Sequence, residues 1–423
     1  MSSPPVPSGR VVVTGVGAVT PLGTGVDVFW PKVVAGVSGI RRVTNVDPTP
    51  FATQIAGEVP DFNVEDWYCE GFEKKDARRM DRFLHFAIAS ARQALDDSGI
   101  VLDEDLKNEF GVLIGTGVGG MSVMYENTGF IHAGKPDRVS PFFVPYMIAD
   151  MASGIVSIIN DLRGPNHTIV SACSTGANAI GDAMEIIKRG DAVAMLAGGS
   201  EASVNEIGIA GFCACRAMTT KNDSPTTASR PFDVDRDGFI MGEGSAVLLL
   251  EDRDHAIARG AKIYCEVVGY GMSADAYHIT SPHPEGRGAA KSMNMALRKA
   301  GLVPEDIDYI NAHGTSTPVG DPMEVSAVKK VFGDHAYKLA MSSTKSMHGH
   351  TLGAAGAIES LICILSMRDG VMPPTINLDN PDPACDLNHV AHVAQKRELN
   401  IVLNNSFGFG GHNVSLIMTK GEN

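Results

Sequence analysis

The sequence predicts a mixed α/β fold built from a duplicated unit, and two observations carry that expectation. Short apolar runs alternate with longer stretches whose apolar positions recur at helical spacing, and the runs are nearly continuous, as in strands covered on both faces. The same order of elements also occurs twice along the 423 residues, although the two copies share little residue identity. Alternating strands and helices of this kind imply mostly parallel sheets.

In order, residues 1–9 read as a disordered tail, rich in proline and serine and without the apolar core of a signal peptide. The first half, 10–260, opens with RVVVTGVGAVT, a buried strand running into a glycine turn. Helix spacing follows from Asp81 to Ser98, with Phe83, Phe86, Ala87, Ser90, Ala91, Ala94 and Leu95 on one face and Gly99 as the stop. An acidic connector from Asp103 to Glu109 leads to a strand at Gly111–Ile114 and the loop GTGVGG. An irregular stretch, Asn127–Tyr146, precedes a small-residue helix from Met147 to Asn160. In HTIVSACSTGANAIGDAMEIIKRG, Ile169 and Val170 are strand-like, and Ala177, Ile180, Ala183, Met184 and Ile187 mark a helix stopped by Gly190. AVAMLAGGSEAS closes the unit with another buried strand.

The second half, 261–423, repeats this order. IYCEVVGYGMSAD and NMALRKAGL give strand and helix, and PEDIDYINAHGTST matches DEDLKNEFGVLIGTG. KLAMSSTKSMHGHTLGAAGAIESLICILSMRDG matches the unit around Cys173, and NIVLNNSFGFGG matches AVAMLAGGSEA.

Composition narrows the function. The chain is 44% hydrophobic and 20% charged with a net charge of −14, an ordinary globular balance that argues against nucleic acid as a partner. Seven cysteines without framework spacing suit a reducing compartment, and a cytoplasmic location is expected. No run approaches a membrane span. RVVVTGVGAVT lacks the third glycine of a dinucleotide fingerprint, because Thr20 stands there and Pro21 follows, which excludes that cofactor site. The lone Cys213–Cys215 pair lacks a zinc-ligand complement, so neither metal nor organic cofactor is expected.

Cys173 sits at the start of a helix among small residues. A helix N-terminus favours the thiolate, whereas burial among apolar neighbours makes a thiol inert; the stretch itself leaves both readings open. If the halves are pseudosymmetric, their polar turn residues converge: Cys173 from one, and His313, Lys345, His350 and Phe409 from the other. Glu324 and Glu359 are candidate partners for Lys345, which would be costly to bury uncompensated. One cysteine, two histidines and a lysine among glycine turns suggest a thiolate that takes up an acyl group, with neutral donors for a developing oxyanion.

At these residues the chain resembles the β-ketoacyl-acyl-carrier-protein synthases of the elongating, Cys-His-His type of bacterial fatty-acid synthesis. The resemblance rests on VVVTGVGAVTPLG, SACSTG, RPFDVDRDGFIMGEG, NAHGTSTP, TKSMHGHTLGAAGA and NSFGFGG. It implies a thiolase-type fold of five αβαβα layers, a homodimer, and acyl carrier protein as partner. It makes Cys173 the acyl acceptor and gives His313 and His350 to malonyl decarboxylation. The N–H groups of Cys173 and Phe409 would form the oxyanion hole. It pairs Lys345 with Glu324, with Asp321 and Glu359 in support. Thr315 and Thr317 would bind the pantetheine arm, with Phe409 as a gate and Val118 as a pocket-lining residue. Lys75, Arg78, Arg79 and Arg216 match carrier-docking positions on an otherwise acidic molecule. GFGGHN, with His412, departs from the GFGGTN of many relatives, and TPVGDPME leans toward polyketide synthases. The alternatives are therefore a polyketide ketosynthase and, with the nucleophile present a weaker one, a non-catalytic chain-length partner.

Overall fold

The computed structural model describes residues 8–421. Residues 1–7 of the expected tail lie outside the described residues; Ser8 is held by its N–H and hydroxyl, which both donate to Asp252 at 2.8 Å.

The strands are β1 (Val11–Thr20), β2 (Phe110–Gly115), β3 (Ala194–Glu201), β4 (Gly244–Asp252), β5 (Cys265–Ala274), β6 (Tyr309–Asn311), β7 (Ala340–Ser342), β8 (Ile401–Gly408) and β9 (His412–Lys420). They form one sheet in the order β7-β6-β8-β9-β5-β1-β4-β3-β2, with Gly23–Thr24 folded back on β1. The two halves pair alike. β2 runs parallel to β3, which is antiparallel to β4, which is antiparallel to β1. In the second half β6, β8, β9 and β5 repeat that sequence of directions. The sheet is thus mixed and mostly antiparallel, not mostly parallel as expected. Continuous apolar strands report burial on both faces, and burial does not depend on strand direction.

Helices α1 (Arg82–Ser98), α2 (Met151–Asn160), α3 (Thr175–Arg189), α4 (Arg287–Ala300), α5 (Gly320–Phe332) and α6 (Ala355–Asp369) make the remaining layers. α1 and α2 cover the outer face of the first half, α4 and α5 that of the second, and α3 and α6 lie against each other between the halves. This is the five-layered thiolase-type arrangement. Every residue of α6 from Ala355 to Met367 is buried, so α6 is apolar without a solvent stripe, as a helix at the centre of a molecule must be.

Glycine sets the spacing. A Cβ on Gly176 would lie 2.8 Å from the amide nitrogen of Ala357, and one on Gly356 would lie 2.8 Å from that of Ala177. α3 and α6 therefore touch backbone to backbone, through reciprocal positions of the repeat. The expected glycine turn in RVVVTGVGAVT is instead strand throughout. Its glycines let α1 lie on it, since a Cβ at Gly15 or Gly17 would fall 2.1 or 2.0 Å from carbonyl oxygens of α1.

Three local expectations change. The small-residue helix begins at Met151, after a separate short helix at Phe143–Met147, and the stretch read as irregular contains most of that short helix and part of another, Met121–His132. Ile169 and Val170 form no strand; only Asn166 bridges β2, beside Val112.

The helix contact is testable. Gly356→Val forces side-chain atoms into the amide nitrogen of Ala177 and is expected to destabilise the fold by about 1–3 kcal/mol, read as a lower denaturation midpoint. An unmoved midpoint contradicts the close approach.

Candidate active site

Strand ends of both halves deliver their polar residues to one cavity of about 340 Å³, lined by Cys173, His313, His350, Thr315, Thr317 and Phe409, with Arg216 among its lining residues. Val118 does not join them: it is 42% exposed and outside the cavity lining.

Cys173 sits in a tight turn, Ala172–Ser174, that leads directly into α3, with Ala172 at a positive φ of 52°. The hairpin of β8 and β9 straps this turn. Ser406 Oγ donates to the carbonyl of Cys173 at 2.9 Å, and Ser174 Oγ lies 2.9 Å from the carbonyls of Ser406 and His412. Gly408 permits the approach, because a Cβ there would stand 3.1 Å from the amide nitrogen of Cys173. Burial pushes the thiol up to about 11, against the Phe409 N–H, the Lys345 charge and its own N–H. The helix start therefore does not give a resting thiolate: desolvation outweighs it.

The histidines face one another, ring centroids 5.4 Å apart and nearly perpendicular. His313 follows β6, and its N–H donates to Glu324 Oε1 at 2.9 Å. His350 is clamped by its backbone, its N–H donating to the Ile240 carbonyl at 2.7 Å and its own carbonyl accepting from Gly242 at 2.8 Å. The GFIMGEG stretch thus has a role that its sequence did not disclose. Burial and the Lys345 charge hold both imidazoles well below the usual histidine range, each helped by a neighbouring histidine. Among the described residues, Nδ1 of His313 and both ring nitrogens of His350 have no hydrogen-bond partner. Two uncharged rings with free nitrogens border the thiol's cavity.

Lys345 opens the turn after β7 and pairs with Glu359 of α6. The expected partner, Glu324, is occupied elsewhere, accepting from the N–H groups of His313 and Gly314 and from Asn405 at 3.2 Å. Its position ten residues after Gly314 makes it a brace for the histidine loop. Asp321 braces the same loop, accepting from Ser316, Thr317 and Phe232 N–H groups. Burial pushes Glu324 and Glu359 up to about 7 and Asp321 to about 6. The hydroxyls of Thr315 and Thr317 lie 3.1 Å apart.

An aromatic file that sequence reasoning missed lines the approach. Phe409, Phe212, Phe239 and His350 follow one another at ring separations of 6.5, 5.6 and 5.3 Å. Isolated phenylalanines in apolar surroundings carry no signal that distinguishes such a lining from core. Lys75, Arg78, Arg79 and Arg216 are exposed, Lys75 near Glu73 and Arg79 stacked over Phe142. Arg82, from the same basic run, turns inward to the buried Glu243. No helix among the described residues is long and apolar enough to cross a membrane.

Comparison with known proteins agrees with this geometry. Residues 8–256 match the family model of the beta-ketoacyl synthase N-terminal domain, and residues 264–379 that of its C-terminal domain. The chain is 51% identical to the 3-oxoacyl-[acyl-carrier-protein] synthase 2 of Coxiella burnetii, over 97% of this chain and 98% of that protein. Its identity to the synthase 2 of Synechocystis is 49%, with coverage of 97% and 98%. Among solved structures it resembles a chain from a type II PKS acyl-carrier protein in complex with its ketosynthase bound to the hexaketide. There the TM-score is 0.90 at 33% identity, covering 98% of this chain and 99% of that one. With both family models matched, a cysteine at the head of α3 and two uncharged histidines across the cavity, the chain belongs to the β-ketoacyl synthase family.

Proposed function

We propose that this enzyme elongates acyl groups by decarboxylative condensation with malonyl-acyl-carrier protein, as a 3-oxoacyl-[acyl-carrier-protein] synthase. The observation that carries the reading is the meeting of the Cys173 thiol, two backbone N–H groups and two uncharged histidines in one cavity.

In the first step the sulfur of Cys173 attacks the carbonyl of an acyl thioester. The oxyanion of the tetrahedral intermediate takes the N–H groups of Cys173 and Phe409, and the carrier's pantetheine sulfur leaves with the thiol proton. In the second, malonyl thioester loses carbon dioxide, and the electron pair of the broken carbon–carbon bond passes into an enolate. Its oxygen accepts hydrogen bonds from His313 and His350. The enolate carbon then attacks the thioester on Cys173, the new carbon–carbon bond forms, and the Cys173 sulfur departs. Burial, with the charge of Lys345 held by Glu359, keeps the histidines uncharged, each with one ring N–H to donate. Thr315 and Thr317 offer hydroxyls to the pantetheine amides.

Fatty-acid elongation is favoured over polyketide condensation, because the relatives named synthase 2 share about half of their residues with this chain. The carrier is acidic, which suits Lys75, Arg78, Arg79 and Arg216 as its docking surface. A homodimer accounts for the edge at 167–170, where Ile169 and Val170 read as strand but have no strand partner among the described residues, and Val170 is 54% exposed. A second copy on that edge would also bring cover to Val118.

Incubation with acyl-carrier protein should add an acyl mass to Cys173, and malonyl-carrier protein should then release a product two carbons longer. Cys173→Ser should take up neither, and acylation without extension contradicts the condensing role. Because both histidines titrate far below about 6.5, condensation by pre-acylated enzyme should stay level as pH falls through that value; a decline centred there contradicts neutral donors. Reversing charge at Lys75 and Arg79 together should weaken carrier-protein use about tenfold or more and spare small thioester analogues. Equal losses with both would sink the docking assignment.

A further inference from the structure

The repeat places two elbows in the molecule. Ala172 and Leu352 both have positive φ, 52° and 48°. Each opens a three-residue turn followed by a fifteen-residue helix with a left-handed glycine cap, Gly190 and Gly370. Gly353 is therefore the counterpart of Cys173. At the first elbow the N–H of Cys173 faces the thiol and the cavity. At the second, the N–H of Gly353 is taken: it donates to Glu201 Oε2 at 3.0 Å. The N–H of Gly117 donates to the same oxygen at 2.7 Å, and the Thr116 hydroxyl to the other at 2.8 Å.

The corresponding place at the first elbow is open: a Cβ on Gly408 would stand 3.1 Å from the amide nitrogen of Cys173, and at the second elbow Glu201 Oε2 holds that place before the Gly353 N–H. The second elbow thus has a carboxylate where the first has room for a substrate oxyanion. It has no space for a ligand or side chain besides. A Cβ on Gly353 would lie 2.2 Å from the amide nitrogen of Gly117 and 2.8 Å from Glu201 Oε2.

The plug also reaches the working elbow. A Cβ on Gly117 would meet Glu201 Oε2 at 2.7 Å, Gly353 N at 3.3 Å and Ala172 O at 3.6 Å, so the 116–117 backbone is wedged between both turns. Leu352 lines the catalytic cavity and packs in one apolar cluster with Cys173. Glu201 is fully buried without a cationic partner in its hydrogen-bond set; a carboxylate costs more there than an apolar side chain would, unless its charge is used.

We propose that Glu201 is a positioning residue for Cys173: an internal carboxylate that fills the oxyanion position of the second elbow and, through Gly117 and Leu352–Gly353, fixes the wall and the charge beside the thiol. This rests on the reading of Cys173 as the acyl acceptor.

The test uses the full chain, following acyl transfer to Cys173 from acyl-carrier protein and, separately, alkylation of Cys173 by iodoacetamide across pH, both by mass spectrometry. Glu201→Ala leaves two N–H donors facing a void and should slow acyl transfer about tenfold or more. Sodium formate should restore much of that rate, and sodium chloride at the same ionic strength should not. Glu201→Gln keeps an acceptor oxygen on both N–H groups, loses the charge, and turns its NH2 to the Thr116 hydroxyl, which then accepts. It should retain most of the acyl-transfer rate while its alkylation midpoint moves to lower pH. A folded Glu201→Ala with wild-type acyl transfer, or one that formate leaves unmoved, overturns the proposal. Should Glu201→Ala not fold, Glu201→Gln decides, and an unmoved alkylation midpoint overturns it. If wild-type Cys173 accepts no acyl group yet its alkylation midpoint still depends on Glu201, the acyl-acceptor reading fails while the positioning stands.

Discussion

The contact on which the rest depends is the backbone-to-backbone approach of α3 and α6. Two helices that touch at glycine bring their first turns close together, and in this fold the first turns carry the chemistry. Cys173 heads α3, while α6 carries Glu359 to the Lys345 ammonium from inside the second half. Packing of this kind is specified by residues with no side chain to contribute, so its energetic weight lies in what a larger residue would cost.

Electrostatics in the cavity follow from that burial. Lys345, Glu359, Glu324 and His350 are withdrawn from water and His313 is half-buried, and removing one charge of such a set leaves the other uncompensated. The lysine and its carboxylate settle each other, and burial, reinforced by the field of the lysine, keeps the histidines neutral. A donor that is neutral at rest and faces a forming enolate stabilises the transition state more than the ground state.

Much of this was legible in the sequence. Periodicity and capping gave α1 and α3 with their glycine stops, and the repeated order of elements brought Cys173, His313, Lys345, His350 and Phe409 to equivalent joints. Strand direction was not legible, because burial on both faces leaves the same apolar run in either orientation. Nor was the partner of Lys345: Glu324 and Glu359 are both buried carboxylates, and only the fold decides which one the ammonium reaches. Glu201 escaped notice for a related reason. Its acceptor role is set by three backbone and hydroxyl donors from two distant segments, Thr116–Gly117 and Gly353, and no local pattern announces such a set. Val118 shows the reverse limit, since a position matched by motif lies outside the cavity that the other matched residues line.

The protonated, enclosed state of Cys173 also bears on its durability. Oxidants attack thiolates that solvent can reach, and the Cys173 thiol is pushed up to about 11 by burial and is 7% exposed. Cys215, exposed among the residues that line the same cavity, is the more accessible thiol. The enclosure that disfavours the Cys173 thiolate therefore also shelters it from oxidants.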